Sequence, residues 1–384
     1  MNKDELRAWL RLSMTESVGN DAARKLLACF GSPQAVFEQT KSALCQVVTP
    51  KQAQALLTVP NELAVQCVRT HQWLAHQPDT HSHALWTLGD PHYPPELLQL
   101  ADPPLMIYVA GQTERTLGNA VAIVGSRNPT PQGADIATQF GEALCEAGLC
   151  VVSGLALGVD GAAHTGALRG GQTHSNSSAH WHTVAVVGTG LDRVYPSKHK
   201  VLAQHIALQG LLISEYHLGT APLAHNFPKR NRLIAALGLG TLVVEAALKS
   251  GSLITAKMAL ELNREVLAIP GSIYATQSHG CHALIRQGAK LVENAQDVLE
   301  ELQLAPQQQV NLFADALVTD DPTPSDDTEH PLLTHMGYAP VSLDALQARC
   351  GLDTAALQAQ LLTLELDGAV GRLPGGLFQR LGTA

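Results

Sequence analysis

Six short apolar runs recur between Val121 and Gly271: Val121-Ala-Ile-Val124, Val151-Val152, Val184-Ala-Val-Val187, Leu212-Ile213, Leu242-Val-Val244 and Val266-Leu-Ala-Ile269. Each is closed by glycine, serine, glutamate or proline. Near-continuous apolar runs of this kind predict strands buried on both faces. Most are separated by enough residues for a helix, so the pattern predicts an α/β fold with a mostly parallel sheet covered on either side. Small residues at the strand ends then gather at the carboxyl edge, where open α/β sheets bind ligands.

The flanks follow other periods. Over residues 1–85, Leu6, Trp9, Leu10 and Leu12 precede a break at Ser17-Val-Gly-Asn20, and Asp21 to Phe30 forms a second amphipathic segment ended by Gly31-Ser-Pro33. Two short helices across a glycine-containing turn resemble a helical domain of SAM or helix-hairpin-helix type, whose turn amides can face a phosphate. A small helical packing module fits the same pattern. Proline- and histidine-bearing connectors follow at 77–83, 90–98 and 102–104, and an edge strand is expected at 105–109. The central domain is expected to span 86–304. Residues 305–332 are polar, with Asp320-Asp-Pro-Thr-Pro-Ser-Asp-Asp327, and predict a flexible acidic linker. Over 333–384, two helical stretches across Gly351-Leu-Asp353 and a short hairpin predict a winged helix. The second stretch, 355–365, contains no basic residue, so a protein-contact or packing role is expected in place of duplex reading.

Composition changes the picture in three places. A chain of 384 residues holds about two or three domains, and 45% hydrophobic residues supply a sizeable core. The net charge of −9 at first argues against a nucleic-acid partner, but its distribution does not. Residues 301–384 carry eleven acids against three arginines, a net −8, which leaves −1 for residues 1–300. The seven cysteines form no CxxC pair, no signal-peptide pattern opens the sequence, and no apolar run approaches the roughly 20 residues that span a bilayer. A cytoplasmic protein with reduced thiols and no membrane partner is expected.

The strand ends carry the chemistry. Gly125-Ser126-Arg127 is not a G-x-G-x-x-G turn, no acid ends the second strand, and no GxxxxGK[ST] occurs, so a dinucleotide or Walker-type nucleotide is not expected and no cofactor is assigned. What remains suits phosphate. Ser153-Gly154-Leu-Ala-Leu-Gly158, Gly188-Thr-Gly190 and Lys249-Ser250-Gly251-Ser252, the last running on to Thr255, all lie where helix amides can be exposed. Any one such turn can simply be a tight connection. Three on one edge, with Arg127, Lys198, Lys249 and Lys229-Arg230-Asn231-Arg232 nearby, suggest a rim for a chain of phosphates. Phe227 could stack on a base or enter the core; with 4% aromatics, backbone contacts should dominate.

These motifs together resemble the DprA (Smf) family, the DNA-processing proteins of bacterial natural transformation. Gly125-Ser-Arg127, Ser153-Gly-Leu-Ala-x-Gly158 with Asp160 and His164, Gly188-x-Gly190-x-Asp192 with Tyr195-Pro196, Ser214-Glu215, Phe227-Pro-x-Arg-Asn-Arg232, Glu245 and Ser250-Gly-Ser252 with Thr255 carry the resemblance over about 87–300. It implies an extended Rossmann-like core, single-stranded DNA binding and protection, a homodimer, RecA as partner, and no enzymatic activity. It also implies DNA contacts from Arg127, the glycine-loop amides, Lys229, Arg230, Asn231 and Arg232. Two departures stand out. His282 occupies a position usually held by asparagine, and the loop 171–183 is long, with His174, His180 and His182 as either a metal set or a polar insertion. An alternative of another class is a phosphoribohydrolase-like nucleotide-processing enzyme, because Gly238-Leu-Gly-Thr-Leu-Val-Val-Glu245 resembles GGxGTxxE. Glu245 falls one residue late for that signature, which on a strand turns it to the opposite face. Asp160, His164 and Glu215 would be its further acid–base candidates.

Overall fold

A computed structural model describes residues 1–78, 80–173, 179–304, 330–337 and 340–381. Most of the expected acidic linker (305–329) and His174 lie outside the described residues. Helices α1 (Lys3–Met14), α2 (Asn20–Phe30), α3 (Pro33–Phe37), α4 (Lys41–Leu44), α5 (Pro50–Leu57) and α6 (Leu63–Ala75) precede the sheet. The sheet strands are β1 (Ser82–Thr87), β2 (Met106–Gly111), β3 (Ala120–Val124), β4 (Cys150–Ser153), β5 (Thr183–Val186), β6 (Leu211–Ser214), β7 (Gly240–Val243), β8 (Glu265–Ala268) and β9 (Lys290–Leu291). Interleaved with them are α7 (Pro131–Glu146), α8 (Val159–Thr173), α9 (Lys200–Gln209), α10 (Asn226–Leu237), α11 (Ser252–Glu261), α12 (His279–Arg286) and α13 (Ala295–Glu301).

The nine strands lie in the order β1-β2-β6-β5-β4-β3-β7-β8-β9. All pairings from β6 to β9 are parallel, while β1–β2 and β2–β6 are antiparallel. The period of two explains why the runs are apolar throughout. On β3, Ala120, Ala122 and Val124 face the core beneath α10, α11 and α12, whereas Val121 and Ile123 face the core with α7, α8 and α13. The chain builds outward from β3 to β6 and then returns through α10 to place β7 on the other side of β3. That reversal opens a crevice at the carboxyl ends of β3 and β7.

The run expected as an edge strand is interior. Tyr108 and Val109 on β2 pair with both β1 and β6, and every residue of β2 is buried. The edge on this side is β1, hidden in sequence by the histidine of Ser82-His-Ala-Leu-Trp-Thr87. The amino-terminal helices pack their apolar stripe (Leu6, Trp9, Leu10, Leu12, Leu26) in one cluster with Leu85, Met106 and Tyr108 of the sheet. Trp181 of the long loop enters the core beside Trp86 and donates its Nε1–H to the Gln112 carbonyl at 2.7 Å.

The carboxyl-terminal unit is the expected winged helix. It comprises α14 (Pro331–Met336), β10 (Val341–Ser342), α15 (Leu343–Cys350), α16 (Thr354–Leu366), β11 (Val370–Leu373) and β12 (Leu377–Arg380), with the three strands ordered β10-β12-β11. Asp353 caps α16 by accepting from the amides of Ala355 and Ala356. Its hairpin lies on the first turn of α7, where Gln379 Nε2 donates to Gln132 Oε1 at 2.6 Å. The seven cysteines are free, and among the described residues no helix is long and apolar enough to cross a membrane.

Candidate nucleic-acid interface

A cleft of about 540 Å³ occupies the β3/β7 crevice. One wall is the turn after β3. Ser126 Oγ accepts from the Asn128 amide at 3.1 Å and the Ser126 carbonyl from Val159 N at 3.1 Å, which fixes the turn and leaves Arg127 and Asn128 exposed. Thr130 then caps α7 through Gly133 N at 3.0 Å, with Pro131 at the first helical position. The other wall is the turn after β7. Lys249 is exposed, Ser250 Oγ meets Ser252 Oγ at 2.7 Å, and a Cβ on Gly251 would touch nothing within 4 Å. Thr255 and Asn231 also line it.

Arg230 of α10 forms part of the cleft although it is only 3% exposed. Its Nε and Nη1 have no hydrogen-bond partner among the described residues. Burial pulls its pKa down to about 10; the nearby Asp160 carboxylate opposes that shift and the Arg127 charge adds to it. A buried guanidinium with unused donors is costly unless an anion completes it. A phosphate in the cleft would do so, with Arg127 and Lys249 at the mouth.

The cleft thus unites Gly125, Ser126, Arg127, Arg230, Asn231, Lys249, Ser250, Gly251, Ser252 and Thr255 of the expected residues. The rest sit elsewhere, for identifiable reasons. Ser153 Oγ donates to the Ile123 carbonyl at 2.7 Å, and the amides of Gly154 and Ala156 donate to Asp160 Oδ2 at 3.1 and 3.3 Å. The expectation of exposed amides in this loop is therefore corrected at Ser153 and Gly154: the chain supplies its own anion. Gly158, at φ 81°, instead lets the loop approach Ser126 and Pro129. Gly188 and Gly190 are also buried; Asn226 Nδ2 donates to the Gly188 carbonyl, and Gly190 N donates to Thr220 O.

Arg232 is a second correction. It makes a buried ion pair with Glu215 and donates to the Asp102 carbonyl at 2.8 Å, so it ties α10 to the end of β6. Lys229 is exposed beside Glu215 and His217, and Lys198 is exposed on a turn outside the cleft lining. Phe227 takes neither expected extreme: it is partly buried against Gly188, with the Arg127 guanidinium 5.5 Å over its ring. Sequence reading missed Asn128 and Gln277 in the lining. Gln277 Nε2 donates to the Asn128 carbonyl at 3.2 Å across 149 residues, a contact no local motif could signal.

The groups considered for hydrolysis are all engaged in holding the fold. Glu245 accepts from Thr130 N at 2.9 Å and Thr130 Oγ1 at 2.6 Å, and burial raises its pKa. Asp160 holds the loop amides and Glu215 holds Arg232. His164 is fully buried, its Nδ1 2.7 Å from Thr183 Oγ1, and burial drives its pKa to about 3. These engagements do not favour the enzyme alternative. In the long loop, His180 Nδ1 lies 2.8 Å from Thr116 Oγ1 and His182 Nδ1 lies 3.4 Å from Gln209 Oε1; no group among the described residues could hold a metal ion. His282 Nε2 meets the Gly271 carbonyl at 3.0 Å, closing the local turn.

Known proteins share this fold. The family profile described as DNA recombination-mediator protein A matches residues 84–303, and that of the DprA winged helix domain matches 318–376. Protein Smf of Escherichia coli (strain K12) is 38% identical over 379 residues, which cover 96% of this chain and 94% of that protein. DNA processing protein DprA of Streptococcus pneumoniae (strain ATCC BAA-255 / R6) is 45% identical over 218 residues, covering 57% of this chain and 74% of that protein. The X-ray structure of DprA from Streptococcus pneumoniae superposes with a TM-score of 0.63 at 34% identity, covering 78% of this chain and 98% of that one.

Proposed function

The chain belongs to the DNA recombination-mediator protein A family, with its DprA and Smf members, and from that premise we propose that it binds single-stranded DNA along the carboxyl edge of the sheet. Successive phosphates enter the β3/β7 cleft between Arg127 and Lys249 and reach Arg230 at its floor. The observation that carries this reading is the buried Arg230 side chain with two unused donor nitrogens inside an open cleft. An anion of any nucleotide satisfies them, so binding is tolerant of sequence and weakens with salt.

The wider reading is a cytoplasmic, non-catalytic homodimer that protects incoming single strands and loads RecA onto them during transformation. Family membership supports it. Affinity for single strands and duplexes, measured across a salt series with wild type and Arg127→Ala, tests the binding step. Loss of affinity for all single-stranded sequences alike is expected; unchanged binding would remove the rim. RecA filament growth on strands coated with this protein should accelerate, and an unaltered rate would reject the loading role.

A further inference from the structure

Tyr195 is 47% exposed and lies outside the cleft lining, so phosphate binding gives no reason for its exposed ring. Its ring centroid lies 5.5 Å from that of Phe227, with the planes inclined by 39°. Phe227 in turn sits under the Arg127 guanidinium, which also lines the phosphate cleft. Gly188 makes room for this: a Cβ there would stand 3.2 Å from the Phe227 ring. Cleft, cation and two rings therefore form one continuous row. A nucleotide presents one anion and one flat π-face, and this row offers a partner for each in sequence.

We propose that Tyr195 and Phe227 form a nucleobase shelf, with Tyr195 stacking on a base of the strand whose phosphate lies at Arg127. The inference rests on the single-strand reading above and adds a base-contacting residue to it. Every base has a π-face, so the shelf distinguishes unpaired from paired bases without reading sequence. A duplex, whose bases are already stacked, cannot use it.

The test compares an oligothymidylate with an abasic deoxyribose-phosphate strand of equal length, by fluorescence anisotropy on the full chain. Tyr195→Ala should lower affinity for oligothymidylate about tenfold and leave the abasic strand almost unaffected. Tyr195→Phe should bind both like wild type, because the ring is what matters. Equal losses on both strands, no loss on either, or failure of phenylalanine to substitute would overturn the shelf. A second readout needs no variant: 2-aminopurine placed along a strand should be quenched on binding to wild type, and no quenching at any position would also overturn it. A wild type that binds neither strand would sink the single-strand reading itself, whereas equal wild-type affinity for both strands would remove only the shelf.

Discussion

The turns after β3 and β7 and the loops after β4 and β5 share a sequence signature: small residues and glycines between an apolar strand and a helix, at one edge of one sheet. Their fates differ. After β4, Asp160 takes the amides of Gly154 and Ala156, and after β5 the Gly190 amide is taken by Thr220. After β3 and β7, Arg127 and Lys249 face solvent while Arg230 keeps two donors unused. A glycine-rich turn marks an anion site only where the chain has not already provided the acceptor. The same contrast appears within a single helix: Arg232 is hydrogen-bonded to Glu215, and Arg230, two residues earlier, makes no such ion pair among the described residues and has only the Asp160 charge nearby.

That pair allows the strongest test. Arg232→Met would leave Glu215 buried without its cation and should lower the unfolding free energy by about 3 kcal/mol, read from urea denaturation. Arg230→Met should cost less stability than Arg232→Met, because it removes a buried guanidinium with two unused donors while taking from buried Asp160 only a nearby charge to which no hydrogen bond is made. The same variant should lose single-strand affinity by at least about tenfold, the range of a hydrogen bond to a charged group. If Arg232→Met lost affinity and kept its stability, the assignment of the two arginines would be reversed.

Much of this was legible in the chain. Uninterrupted valine and isoleucine runs placed the strands from β3 to β8, because burial on both faces leaves no alternative pattern. The site was legible as a set of residue types and only half legible as a place. Whether Arg230 or Arg232 is left to the cleft depends on Glu215, which a different strand brings to α10. The closing of the β4 loop depends on Asp160 folding back over six residues. The strand β1 escaped because Ser82 and the histidine at 83 resemble a polar connector until Trp73 is seen stacked on His83 at 4.1 Å.

The closed region should also respond to acid more than the open one. His164 lies under the closed loops with its pKa driven by burial to about 3, below the 6.5 of an unfolded imidazole. Below about pH 6.5 the unfolded chain takes up a proton that the folded chain refuses, so stability falls as pH drops through that window. The slope from this residue is about 1 kcal/mol per pH unit between pH 6 and 5. His164→Leu should flatten the measured slope by that amount, and an unaltered slope would mean that the interior admits the charge.

The smallest effect expected belongs to the exposed rim. Lys249 lies at the cleft mouth with its ammonium in water, so its contact with a phosphate is screened and contributes mainly through counterion release. Lys249→Gln should reduce the slope of log affinity against log salt by about 0.7, the share of one phosphate on a single strand. Affinity should fall by a similar factor for oligothymidylate and for mixed sequences, since a phosphate contact carries no base information. Arg230 differs in this respect: inside the cleft its interaction is shielded from mobile ions, so its removal should weaken binding even at high salt. Were Lys249→Gln to leave the salt slope unchanged, the strand would not pass the β7 turn, and the open edge would end at Arg127.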